Sequence, residues 1–179
     1  MVTTMFLPRG DYELYGDWLR QQDTETLRMY FGTPATTDYI NHLVERVITN
    51  NQKHHFLVAF DHEQWIGVLH IADCPNQEVE FGFIVDHEYR GHGVADRLMD
   101  EGVTWCRNRG YKRLFLHCLS WNQPIKHLCT KHGLELRERD GDAEVDVPLP
   151  PASFISLSKE VAVTNRNIFT KILEQTWHI

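Results

Sequence analysis

No run of apolar residues in this chain approaches the roughly 20 needed to cross a bilayer. Residues 1–10 lack a basic stretch followed by an apolar one, so no secretory signal is expected. Cysteine is scarce: Cys74, Cys106, Cys118 and Cys129 are the four present. They form neither a CxxC pair nor a zinc-type spacing, and a reduced, cytoplasmic protein with no metal is the simplest expectation. Positive charge is also short, with 18 lysines and arginines against 25 acidic residues and a net charge of -7. A nucleic-acid binder needs a basic face to displace counterions, and this balance speaks against one. It is compatible with a cationic partner such as an amine. The HExxH metal motif is missing, and so are the GxSxG elbow and any reactive-cysteine signature, so a covalent enzyme intermediate is not expected. The 11 histidines leave a metal protein as one alternative. However, the adjacent pair His54 and His55 would point to opposite faces of a strand.

What is present suits one ordinary domain: 179 residues, 42% hydrophobic, with no internal repeat or low-complexity tract. Residues 11–28 carry apolar positions that fit helical packing loosely. A clearer helix starts at Thr37, where Thr37 or Asp38 can cap a stripe of Ile40, Leu43, Val44, Val47 and Ile48. Residues 55–60, 65–72 and 78–85 read as strands joined by short turns, which implies an antiparallel meander. The period then changes. Val94, Leu98, Met99, Val103 and Cys106 recur at helical spacing, and Gly110 is placed to end that helix. Residues 113–119 form an apolar strand. With a helix between, that strand is expected to pair parallel to 78–85. A helix over 124–131, a hairpin around Asp140 and Gly141, and a helical stretch over 163–177 complete the reading. The domain is expected to span residues 1–149. Residues 150–179 read as an extension that packs on the domain or at a homodimer interface.

The chemistry-bearing segment is Arg90, Gly91, His92, Gly93, Val94, Ala95 and Asp96, which follows a strand and opens a helix. A helix start presents unpaired backbone N–H groups and the positive end of the dipole. Glycines there let those groups approach an anion, and small Ala95 keeps the approach open. The segment is neither a Walker loop nor the GxGxxG fingerprint, since position 96 is Asp. Alone, the two glycines also fit a tight strand-to-helix connection with no ligand.

Phe83 through Ala95 resembles motif A of the GNAT superfamily of N-acetyltransferases, Q/R-x-x-G-x-G/A after a strand. Asn122, Leu128, Lys131, Gly133 and Leu134 resemble that family's next block, N-x-x-A-x-x-L-Y-x-K-x-G-F. The order of elements is similar to the branch holding ribosomal-protein N-terminal and small-amine acetyltransferases. The resemblance implies an α/β (α+β) fold: a mixed, twisted, mostly antiparallel sheet with a splayed central parallel pair and helices on both faces. It implies acetyl-CoA as co-substrate and a primary amine, small or at a protein N-terminus, as acceptor. Backbone groups of Phe83, Ile84 and Val85 would hold the pantetheine arm, and Arg90 to Asp96 the pyrophosphate. Asn122 would lie near the thiol, and a strand N–H would serve as oxyanion donor.

Glu80 and His117 fall where this family often keeps a base, and histidine titrates near neutral pH. Glu80 equally suits a solvated carboxylate on a polar strand face. His117, between Leu116 and Cys118, equally suits a core histidine bonded to backbone. The family's tyrosine acid falls on Cys129. That thiol can act as a proton donor or as a small core hydrophobe. His127 or His132 is an alternative donor or else an exposed helix residue, and solvent is a further source. Pro124 and Ile125 depart from the block and suggest a reshaped helix start. Trp18, Tyr30, Phe31 and Tyr39 come from the region that walls the acceptor in this family, although core packing accounts for aromatics as well. The departure at Cys129 keeps a second class of function open, a non-catalytic acyl-CoA-binding sensor or interaction module.

Overall fold

A computed structural model describes residues 2–139 and 141–176. Among the described residues, seven strands form one sheet in the order β1-β2-β3-β4-β5-β7-β6. They are β1 (Val2–Phe6), β2 (His54–Asp61), β3 (Gln64–Cys74), β4 (Glu78–Val85), β5 (Arg113–Leu119), β6 (Arg137–Arg139) and β7 (Asp142–Pro148). All neighbours run antiparallel except β4 and β5, which are parallel. Among the described residues this mixed α/β arrangement carries six α-helices: α1 (Tyr12–Arg20), α2 (Thr24–Phe31), α3 (Thr37–Thr49), α4 (Val94–Asn108), α5 (Gln123–Lys131) and α6 (Phe154–Thr176).

Alternation along the strands builds two cores. On one face Phe56, Val58, Val68 and Ile84 meet Tyr12, Tyr15 and Leu19 of α1 with Ile40, Val44 and Val47 of α3. On the other face Leu57, Leu69, Phe81 and Leu116 meet Leu98, Met99 and Cys106 of α4 and Leu128 of α5. As the alternation requires, His54 faces the first core and contacts His70, while His55 turns to Trp105 on the second.

The stretch 11–28 divides into two helices rather than one. Asp23 accepts from the Thr26 amide at 2.9 Å and so caps α2, which starts four residues after α1 ends. The final helix begins at Phe154, nine residues before the expected start at 163. Ser153 and Ser156 bond each other reciprocally at this end, Ser153 N to Ser156 Oγ and Ser156 N to Ser153 Oγ. α6 lies against α4 and β1: Asn167 donates to Thr4 O at 2.8 Å, and Arg109 pairs with Glu160 at 2.9 Å. Asp140 of the expected turn and Trp177 of the expected helix lie outside the described residues. No helix among the described residues is long and apolar enough to cross a membrane.

Candidate active site

The parallel pair opens into a fork. β4 pairs with β5 from Glu78↔Arg113 to Phe81↔Leu116 and no further, while β4 stays on β3 through Val85 and β5 stays on β7 through Leu119. Gly82, Phe83, Ile84 and Val85 therefore turn a backbone edge towards the gap instead of a neighbouring strand. A cavity of about 620 Å³ fills the gap and runs from Phe83, past Ile84 and Val85, to the start of α4.

The start of α4 has a form that suits an anion. Gly91 and Gly93 hold φ of +77° and +79°, a left-handed backbone that glycine adopts without steric cost. A Cβ at either position would meet no protein atom within 4 Å. Conformation and an open approach, rather than crowding, set the glycine requirement there. No side chain caps the helix, so the first amides of Val94, Ala95 and Asp96 point outward unpaired. The Asp96 carboxylate is drawn aside by Lys131 at 2.9 Å and His132 at 3.2 Å. Partial burial works against its ionisation, yet those bonds outweigh burial and hold the carboxyl below the usual carboxylate range. The Arg90 side chain donates to Thr26 Oγ1 at 2.5 Å and to Val85 O at 3.4 Å, fastening the turn to α2 and β4. Its contribution to the cavity wall comes with Gly91, Gly93, Val94 and Ala95. His92 is exposed, with Nδ1 2.9 Å from Arg90 O, and does not line the cavity.

A second cavity of about 300 Å³ adjoins the first under α2 and α3. Glu80 and His117 both line it, with His117 Nδ1 3.2 Å from Glu80 Oε1. The opposite ring nitrogen of His117 lies 3.5 Å from Glu144, its cross-strand partner. Both side chains are about half exposed, so His117 is not a core histidine. Tyr30, Phe31 and Tyr39 wall the cavity and stack edge to face with centroids 4.7 and 5.1 Å apart.

Asn122 borders both cavities but spends its amide on the scaffold. Its Oδ1 accepts from Ile125 N at 3.3 Å, and its Nδ2 donates to Met29 O at 3.3 Å. Cys129 lines neither cavity. It is fully buried, and burial pushes its thiol up to about 12. A protonated thiol closed off from both cavities has no route to a leaving group, and Cys129 is a core residue. His127 borders the larger cavity at its exposed rim, and His132 is tied to Asp96. Trp18 packs in the core with its indole donating to Trp65 O at 3.2 Å. Among the described residues, no three histidine, cysteine or acidic side chains gather as a metal site.

Gly82 was missed in the sequence. A Cβ there would lie 2.8 Å from the Tyr30 hydroxyl, so the glycine makes room for that ring at the apex of the fork. A glycine between two phenylalanines inside a strand is the signal of such a close approach.

Among curated proteins none matches the chain. Solved structures share the fold. The GNAT domain of PAT from S. lividans superposes with a TM-score of 0.66 at 18% identity, covering 82% of this chain and 89% of that one. Spermidine N-acetyltransferase from Vibrio cholerae, in complex with CoA and spermine, gives 0.65 at 19% identity, covering 83% and 95%. PaiA N-acetyltransferase from Thermoplasma acidophilum, in complex with coenzyme A, gives 0.63 at 16% identity, covering 83% and 99%. The model of the acetyltransferase (GNAT) family matches residues 15–134. With the forked parallel pair and the uncapped helix after it, that match over most of the chain makes this protein a member of the GNAT acetyltransferase family.

Proposed function

We propose that the chain is an acetyl-CoA-dependent N-acetyltransferase that passes the acetyl group directly to a primary amine, either a small molecule or a protein N-terminus. One observation carries this reading: a cavity ending on uncapped helix amides meets, at the fork apex, a second cavity that holds an imidazole against a carboxylate. Coenzyme A fits the donor set of the first cavity. The amides at Val94, Ala95 and Asp96 suit a diphosphate, and the free edge of β4 suits an amide-bearing arm. Bound there, acetyl-CoA supplies an acyl group activated as a thioester. Glu80 and His117 then take the proton that an ammonium acceptor must lose before it attacks. The aromatic wall and the carboxylates of Glu80 and Glu144 suit a cationic acceptor, in keeping with the spermine bound by the Vibrio cholerae relative. Residues 1–149 form the catalytic unit in this reading, and residues 150–179 an extension whose helix α6 braces β1 and α4.

The test has two arms. Calorimetry measures CoA binding, and thiol release from acetyl-CoA is followed with polyamines, amino acids and short peptides. Binding with release supports the enzyme. Binding with no release across the panel identifies a non-catalytic CoA module, and no binding overturns the reading altogether.

A further inference from the structure

The proposed reaction leaves a thiolate that needs a proton, and Cys129 is sealed away from it. Five residues border both cavities: Met29, Tyr30, Phe83, Asn122 and Ile125. Their shared border is where the thioester must lie if its acyl group faces one cavity and its arm the other. Of the five, only Tyr30 carries a hydroxyl, and the amide of Asn122 is already committed to Met29 and Ile125. The Tyr30 ring lies over Gly82, the first β4 residue beyond the last β4–β5 pair, so its hydroxyl sits at the apex of the fork.

The hydroxyl has a defined set of neighbours. Tyr15 donates to it from 3.4 Å, and His70 Nδ1 lies 3.4 Å away. Behind that contact, His70 Nε2 is 2.9 Å from His54 Nδ1, and His54 is only half-buried. His70 reaches the apex because it is the cross-strand partner of Gly82. A file of exchangeable groups thus runs from the point where the two cavities meet to the margin of the sheet.

We propose, on the basis of the acetyltransferase reading above, that Tyr30 is a catalytic residue whose hydroxyl protonates the departing sulfur, with His70 and His54 as positioning residues that return the proton. The Tyr30 O–H bond breaks as the S–H bond forms. The phenolate regains its proton from His70 Nδ1, His70 Nε2 takes one from His54 Nδ1, and His54 Nε2 takes one from solvent water. Each imidazole ends neutral as its other tautomer, and one solvent proton is consumed for each thiol released. Relay by tautomer exchange needs neutral rings, and burial holds His70 neutral by lowering it to about 3. Burial likewise pushes Tyr30 up to about 12, so the group facing the sulfur is a phenol at neutral pH. The same burial penalises a thiolate at the apex, which brings the two acids closer in strength.

Coenzyme A itself is the probe. The thiol of bound CoA is titrated by the ultraviolet absorbance of its thiolate in wild type, Tyr30→Phe and Tyr111→Phe, with circular dichroism and calorimetric CoA affinity as controls. Tyr111 bonds Asp73 at 2.7 Å, lines neither cavity and reports loss of an unrelated hydroxyl. Tyr30→Phe is expected to raise the pKa of the bound thiol by about one unit or more, because the thiolate loses its donor. CoA affinity at neutral pH should stay within about twofold, and turnover with an accepted amine should fall roughly 100-fold. Tyr111→Phe should titrate as wild type. His70→Gln keeps a hydrogen-bonding group but cannot exchange tautomers; it should leave the thiol titration in place and lower kcat about tenfold. A folded, CoA-binding Tyr30→Phe whose thiol titrates as in wild type overturns the assignment and leaves the acetyltransferase reading standing. Absence of CoA binding by the wild type overturns both. Should Tyr30→Phe fail to fold, wild type labelled at tyrosine Cζ decides: the Tyr30 resonance must move when the bound thiol ionises, and an unmoved resonance overturns the proposal.

Discussion

His117 stands between two carboxylates, Glu80 at 3.2 Å and Glu144 at 3.5 Å, and it opens on the smaller cavity. That geometry makes a specific expectation for single residues. His117→Ala and Glu80→Gln should each lower kcat about 100-fold, the low end of the roughly 10²- to 10⁴-fold that general acid–base catalysis contributes, because two groups share the task. CoA affinity should be nearly untouched, because neither residue borders the larger cavity. Steady-state kinetics beside calorimetry checks the split, and full turnover in both variants at neutral pH would remove the pair as proton acceptors. At the other end of the site, Gly93→Glu should weaken CoA about tenfold or more by setting a carboxylate beside the diphosphate. The left-handed φ of +79° adds strain to any side chain, so Gly93→Ala isolates that part, of order 1–2 kcal/mol. A Gly93→Glu protein that binds CoA no more weakly than Gly93→Ala would show that no anion sits there.

Among the elements, α5 is held by one side chain that also borders the site. Asn122 caps it at Ile125 N, reaches back to Met29 O on α2 and is 5% exposed, so neither bond is made to water. Asn122→Ala should cost about 1–2 kcal/mol through the lost cap and the unsatisfied carbonyl, and lower Tm by several degrees. A scanning-calorimetry Tm within one degree of wild type would contradict this account of how α5 is fastened. Elements like this were legible where a side-chain period met an unambiguous stop. The α4 stripe ended by Gly110, the meander and the parallel β4–β5 pair followed from alternation, glycines and connection length. The break between α1 and α2 was not legible in the loose apolar spacing of residues 11–28; in the fold the bond from the Thr26 amide to Asp23 marks it. The start of α6 was missed because Phe154, Ile155, Leu157 and Val161 are all exposed, so no buried stripe announces the helix. The site divides in the same way. Its glycines and its strand entry are local signals, whereas the apposition of Tyr30 with Gly82, or of His117 with Glu144, exists only after long-range pairing.

For the molecule as a whole, the buried histidines set how stability responds to acid. In the unfolded chain an imidazole takes a proton near pH 6.5, whereas burial keeps His70 neutral down to about pH 3 and lowers His54 and His55 as well. Between those limits the unfolded state binds more protons than the folded one, so stability falls as pH falls from about 6.5. The maximum slope from one such group is about 1.4 kcal/mol for each pH unit, so His70 alone can remove up to about 2 kcal/mol between pH 7 and pH 5. The carboxyls of Asp23 and Asp96, held below their usual range, add a further loss only under about pH 4. Acid sensitivity should therefore begin well above the carboxylate range. Urea unfolding at pH 7 and pH 5, in wild type and in His70→Gln, separates the sources. The variant carries no titrating group at position 70 and should lose roughly half as much stability as wild type over that interval. Equal losses in the two proteins would mean that the ring at position 70 takes up its proton in the fold as it does in the unfolded chain. A cationic His70 would also be unable to return a proton to Tyr30 by tautomer exchange, so the same urea curves bear on the relay at the apex of the fork.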